Sequence, residues 1–174
     1  MGRVGKILIK ESEIKSRVKE IAKAISEKYK DKELVVLCVL KGAFVFTADL
    51  IREIEGVKIF CDFIKASSYG YSTVSRGVVK IELFPSVSLK GRHVLIVDDI
   101  LDAGYTLKAI KNEVEKYNPL SCELCVLLDK PERREVEIKV DYIGFRIPDE
   151  FVVGYGMDCK EEFRNLKYIA VYEE

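Results

Sequence analysis

The chain has 174 residues, long enough for one domain with a sizeable core and too short for two full ones. Apolar residues make up 48 % and charged residues 33 %, and the 29 Lys and Arg balance the 29 Asp and Glu, so no global basic field is present to recruit nucleic acid. No apolar run reaches the roughly 18 residues of a membrane span, and Met1 to Lys10 lacks a signal-peptide core, so a soluble cytoplasmic protein is expected. The 5 cysteines are an odd number in such a chain, which argues for reduced thiols.

Val4 to Ile9 has the composition of a short strand. Ser12 is a candidate helix cap, and Ile14, Val18, Ile21, Ala22 and Ile25 then recur at helical spacing, with an end expected near Tyr29. Leu34 to Leu40 is a continuous apolar run, the mark of a strand covered on both faces. Lys41-Gly42 follows, then a helix over Ala43 to Glu53 and a strand over Val57 to Ile64. Lys65 to Gly77 is rich in Ser, Tyr and Gly. It reads as a long loop, and such loops are either plain connections or lids. Val78 to Leu83 and a turn at Ser88 to Arg92 lead into the next apolar strand, Val94 to Val97.

That strand ends in two adjacent carboxylates, Asp98 and Asp99. A third acid, Asp102, comes before Ala103, Gly104, Tyr105 and Thr106, and Leu107 to Tyr117 has helical spacing. A buried strand opening through a small-residue loop onto a helix N-terminus is a place where backbone N–H groups can close around a phosphate. Two carboxylates beside an anion site suggest that the ligand brings a hard cation, most simply Mg²⁺. The plain alternative is an acidic loop with Asp102 as a helix cap.

Cys122 to Leu128 reads as another buried strand. Its Cys122 and Cys125 form a C-x-x-C, but residues three apart on a strand face opposite sides, so the pair is read as structural thiols. His93 is the sole histidine, which removes any His-based metal site or triad. Lys130, just past this strand, is by itself a solvated lysine. Glu132 to Lys139 is charged and expected to be exposed, and Tyr142 to Phe145 is a short strand. The repeated alternation of strand and helix argues for an α/β fold, a parallel sheet with helices on both faces.

The stretch Val94 to Thr106 resembles the phosphoribosyl pyrophosphate (PRPP) signature of the type I phosphoribosyltransferases. Asp102 makes it similar to the 6-oxopurine enzymes of that family, whereas the adenine and orotate enzymes differ there. Ala103 departs from the usual Thr or Ser, which removes a hydroxyl and leaves the backbone N–H. Further matches run in order to Arg164. The resemblance implies a Rossmann-like core with a small hood from the terminal segments, forming a single phosphoribosyltransferase domain over 1–174. It also implies a hypoxanthine-guanine activity that joins PRPP to a 6-oxopurine, releasing pyrophosphate and yielding IMP or GMP. Asp98 and Asp99 would hold the ribose hydroxyls and Mg²⁺, and Asp102, Ala103, Gly104, Tyr105 and Thr106 would cradle the 5-phosphate, with Asp102 also as the catalytic acceptor of the purine proton. Lys41-Gly42 would bind pyrophosphate through a backbone whose Leu40-Lys41 peptide can be cis, with Arg164 beside it. Ser68 and Tyr69 would belong to a closing lid. Lys130 would meet the purine oxygen, Phe151 would stack on the base, Val152 would offer its backbone to the ring, and Asp158 would approach a second metal. A homodimer or homotetramer is expected, with no nucleic acid or membrane partner. A nucleic-acid-binding regulator of the same fold is the alternative, disfavoured by the balanced charge and by Asp102.

Overall fold

A computed structural model describes residues 2–68, 79–83 and 85–173. The central sheet has six strands in the order β4-β3-β2-β5-β6-β7: β2 Glu33–Leu40, β3 Lys58–Ser68, β4 Val79–Leu83, β5 His93–Leu101, β6 Ser121–Asp129 and β7 Tyr142–Arg146. All neighbours are parallel except β4, which runs antiparallel to β3 at the edge. The helices are α1 Glu11–Lys28, α2 Phe44–Glu53 and α3 Tyr105–Glu115.

The apolar runs explain the layering. Leu34 and Val36 of β2 and Leu95 and Val97 of β5 join one core cluster with Ile14, Val18, Ile21 and Ile25 of α1 and Phe46 and Leu50 of α2. Their neighbours Val35, Leu37, Val39, Val94 and Ile96 point the other way, against Leu107, Ile110 and Val114 of α3. A period of two along strands buried on both faces therefore feeds two cores, as expected for helices on both sides. Ile25 is fully buried, so truncating it to Ala should cost about 2–5 kcal/mol. Cys122 packs toward the α3 side and Cys125 toward the α1 side, and all five cysteines are free.

The terminal segments form a second sheet. β1 Arg3–Ile9, β8 Val152–Val153 and β9 Ile169–Glu173 pair antiparallel in the order β1-β9-β8, and this is the expected hood. No helix among the described residues is long and apolar enough to cross a membrane.

Three local expectations need correction. Helix α1 starts one residue before Ser12, with Lys10 as its first flanking residue; the Glu13 carboxylate accepts the Lys10 N–H at 2.9 Å and does the capping. The signature strand does not stop at Val97. It pairs with β6 through Leu101, because Ile100 and Leu101 face Leu128 and Asp129 in register. Residues 65–68 are strand rather than loop: β3 continues to Ser68, opposite Val79.

Candidate active site

Strand order reverses between β2 and β5: the chain moves outward one way through β3 and the other way through β6 and β7. Ligands of open α/β sheets bind beyond the carboxyl ends of the strands at such a switch point. Lys41-Gly42 leaves β2 there and Asp98-Asp99 closes β5 there.

The two segments are pressed together. A Cβ on Gly42 would lie 1.8 Å from Asp99 Oδ2, so a larger residue there would push the Asp99 carboxylate aside. The Gly42 carbonyl in turn abuts Gly156 of the loop after β8, where a Cβ would lie 2.2 Å from it. The Leu40-Lys41 peptide is cis. The Asp98 side chain accepts the Asp99 N–H at 2.9 Å, and Asp99 accepts the Ile100 N–H at 2.8 Å. Burial, then the neighbouring Asp99 charge, holds the Asp98 carboxyl well above the usual carboxylate range. Burial also raises Asp99.

The loop Asp102-Ala103-Gly104 leads into α3. Gly104 is the N-cap, with φ +98° and no side chain to cap the helix, which leaves the N-terminal N–H groups to another acceptor. Thr106 is exposed on the first turn. The loop is held from behind by the charged segment 132–139, which is partly exposed yet reaches the loop. Arg134 Nε donates to the Asp102 carbonyl at 3.1 Å, and the N–H groups of Glu135 and Val136 both donate to the Ala103 carbonyl, at 3.0 and 3.3 Å. Tyr105 Oη donates to Glu135 at 3.0 Å. From Arg133 to Lys139 exposed residues alternate with half-buried ones, and Ile138 packs on the α3-side core. The alternation of Val136, Ile138 and Val140 is the signal that could have found this segment.

Lys130 follows β6 and is 6 % exposed, so it is not the solvated lysine that it suggests in isolation. Its N–H donates to the Leu101 carbonyl at 3.0 Å, which locks it beside the Asp102–Gly104 loop, and its Nζ lies 3.7 Å from Asp149. Asp129 beneath it is buried and paired with Arg134 and Arg146. Phe151 is 56 % exposed at the edge of the hood, ring-edge to Tyr172 at 5.9 Å, while Val152 is buried in β8.

Arg164 donates to the Gly156 carbonyl at 2.8 Å and pairs with Asp158 at 2.9 Å and Glu161 at 3.2 Å. Its Nε is buried with no hydrogen-bond partner among the described residues. Glu161 also holds Lys41 Nζ at 2.9 Å. Asp158 is thus tied to Arg164 and also accepts the Glu161 N–H at 2.8 Å. Among the described residues no group of three metal-ligating side chains is gathered. Ser68 ends β3, and Tyr69 lies outside the described residues.

Comparison with known proteins places this architecture. The model of the phosphoribosyl transferase domain matches residues 7–160. The hypoxanthine-guanine phosphoribosyltransferase of Aquifex aeolicus is 44 % identical over 174 residues, covering 99 % of this chain and 97 % of the relative. That of Bacillus subtilis is 45 % identical over 168 residues, covering 97 % and 93 %. A crystal structure of a hypoxanthine-guanine phosphoribosyltransferase from Bacillus anthracis superposes with a TM-score of 0.93 at 44 % identity, covering 100 % of both chains. The chain belongs to the phosphoribosyltransferase family. It is an enzyme of that class, and the relatives that match it from end to end are hypoxanthine and hypoxanthine-guanine phosphoribosyltransferases.

Proposed function

We propose that this protein, working as a single domain in the cytoplasm, transfers the 5-phosphoribosyl group of PRPP to N9 of hypoxanthine or guanine. Pyrophosphate leaves, and IMP or GMP forms by salvage of the free base. The observation that carries the 6-oxopurine reading is the burial of Lys130 beside the phosphate loop. Its ammonium stands 3.7 Å from Asp149, beyond hydrogen-bond distance, and the carbonyl oxygen at C6 of the base would accept from it.

The remaining roles follow from charge. Breaking the bond between C1 of the ribose and pyrophosphate develops an oxocarbenium-like centre and a strongly anionic leaving group. The N-terminal N–H groups of α3 and the loop before it hold the 5-phosphate. The backbone at Lys41-Gly42 and the free Nε of Arg164 meet the leaving group. Asp102 accepts the N7 proton as N9 attacks, Phe151 covers one face of the base, and Val152 offers its backbone to the ring. Closure of the segment that includes Ser68 and Tyr69 excludes water.

Asp98 and Asp99 suit Mg²⁺: they are hard oxygen donors in a place where burial and mutual repulsion disfavour their charges. Asp158, which pairs with Arg164 here, would approach a second cation. When bound, Mg²⁺ neutralises charge on the departing pyrophosphate. The working form is taken to be a homodimer or homotetramer.

The test is PRPP consumption with hypoxanthine, guanine, xanthine and adenine, with and without chelator. Turnover of the oxopurines that stops in chelator and returns with Mg²⁺ is expected. Adenine used within about tenfold of hypoxanthine would remove the reading, because a hydrogen-bonding site of this kind can discriminate by about 10⁴-fold.

A further inference from the structure

Asp102 and Lys130 follow different strands, β5 and β6, and each is needed on the same edge of the base. In a 6-oxopurine, N7–H and O6 are adjacent, one a donor and one an acceptor. An anion beside a cation at a set spacing is the complement of that edge. What sets the spacing is a chain of four alternating charges. Arg133 Nε lies 3.1 Å from Asp102 Oδ1, and its other arm, Nη1, lies 3.5 Å from Asp149 Oδ2. Asp149 Oδ1 in turn lies 3.7 Å from Lys130 Nζ.

Arg133, Asp102 and Asp149 are each about half exposed, and ion pairs of that kind contribute little to folding. The planar fork of a guanidinium does, however, fix two carboxylates relative to each other in a way that a point charge cannot. Arg133 is itself well placed. It ends the 3-10 turn Pro131–Arg133, which starts next to Lys130, and its N–H donates to the Lys130 carbonyl at 3.1 Å. The same turn therefore carries the lysine and the residue that reaches back to the acid.

We propose that Arg133 is a positioning residue for the purine: through Asp149 it holds the Asp102 carboxylate and the Lys130 ammonium at the separation that N7–H and O6 require. Arg133 meets the loop at the Asp102 carboxylate, whereas the loop's backbone carbonyls are held by the Arg134 side chain and by the N–H groups of Glu135 and Val136. Losing the bridge should thus affect the base and spare PRPP. The inference rests on the purine reading above.

The experiment compares the parent with Arg133→Gln, Asp149→Asn and the double variant. It measures kcat/KM for hypoxanthine at saturating PRPP, the Kd of PRPP by calorimetry, and Tm. A misplaced reacting group can cost up to about a hundredfold, so each single variant should lose on the order of tenfold in kcat/KM for hypoxanthine, with the Kd of PRPP within about twofold of the parent. Because both substitutions cut one bridge, the double variant should lose little more than either single. An unchanged kcat/KM in Arg133→Gln overturns the proposal, as does a matching loss of PRPP affinity or a double variant whose losses multiply. Failure of the parent to use hypoxanthine overturns the functional reading and this inference with it; an active parent with an unaffected Arg133→Gln overturns the inference alone.

Discussion

Asp102 and Lys130 are single residues whose meaning depends on what surrounds them. Asp102 is open enough to reach a ligand, yet its carbonyl is pinned by Arg134 and its carboxylate by Arg133. A general base typically contributes ~10²–10⁴-fold, so Asp102→Asn should lower kcat by that range while calorimetry finds PRPP binding retained. A near-normal kcat would take Asp102 out of the proton-accepting role. Lys130 is all donor and buried. Glutamine at that position offers both a donor and an acceptor. Lys130→Gln should therefore reduce kcat/KM for hypoxanthine and narrow its lead over adenine, each unmatched buried polar group costing roughly 1–3 kcal/mol. If the ratio between the two bases stayed as in the parent, Lys130 would not be the reader of C6.

At the scale of elements, the loop proposed to bind the 5-phosphate is a junction of three pieces: the end of β5, the start of α3, and the segment 133–136 that clamps it. Gly104 sits where all three meet. Its φ of +98° is left-handed, and a Cβ there would lie 2.9 Å from Val136 Cγ2. The left-handed conformation costs a residue with a Cβ roughly 1–2 kcal/mol, and the crowding adds to it. Gly104→Ala should lower the unfolding free energy in urea by at least that amount and raise the KM for PRPP, because the clamp and the loop move together. A variant with parental stability and parental KM would show that the junction is looser than its packing indicates. The clamp was hidden in the sequence because its charged residues dominate the composition, and the carbonyls that it grips belong to a loop about thirty positions earlier.

On the scale of the whole molecule, the sheet separates two chemistries. The reactive groups are at its carboxyl edge. At the opposite edge His93 bonds Ser121 Oγ through Nδ1 at 2.7 Å and meets the Tyr29 ring at 5.2 Å, roughly 25 Å of strand away from Leu101. Burial, then the charge of Lys32, pushes the imidazole pKa below its usual 6.5. The unfolded chain therefore takes up this proton first on acidification. The stability from a neutral His93 is whole above pH 6.5 and is lost as the pH falls toward the lower folded value. Tm scanned from about pH 7.5 to about pH 5 should fall less steeply in His93→Gln than in the parent, with kcat untouched. Equal slopes would mean that the imidazole is solvated in the folded state. Glu123 stands near the same edge. Burial opposes its charge, but hydrogen bonds from Lys28, Tyr29 and Tyr142 outweigh it and keep the carboxyl ionised. It is a structural anion and has no part in the proposed chemistry.

The sequence by itself determined the layer architecture, because runs such as Leu34 to Val39 and the helical stripe of α1 have one arrangement that buries them. It also located the loop between β5 and α3, whose acids, small residues and hydroxyl are contiguous, so that their order is readable without the fold. The tertiary structure alone decided what depends on contacts between distant segments. It carried β5 past its own carboxylates to Leu101, because β6 offered backbone partners there. It buried Lys130, set the segment after Pro131 against the Asp102–Gly104 loop, and paired Asp158 with Arg164. Each of these outcomes is set by which groups lie within hydrogen-bonding reach after folding, and the spacing of residues along one strand of chain holds no record of that.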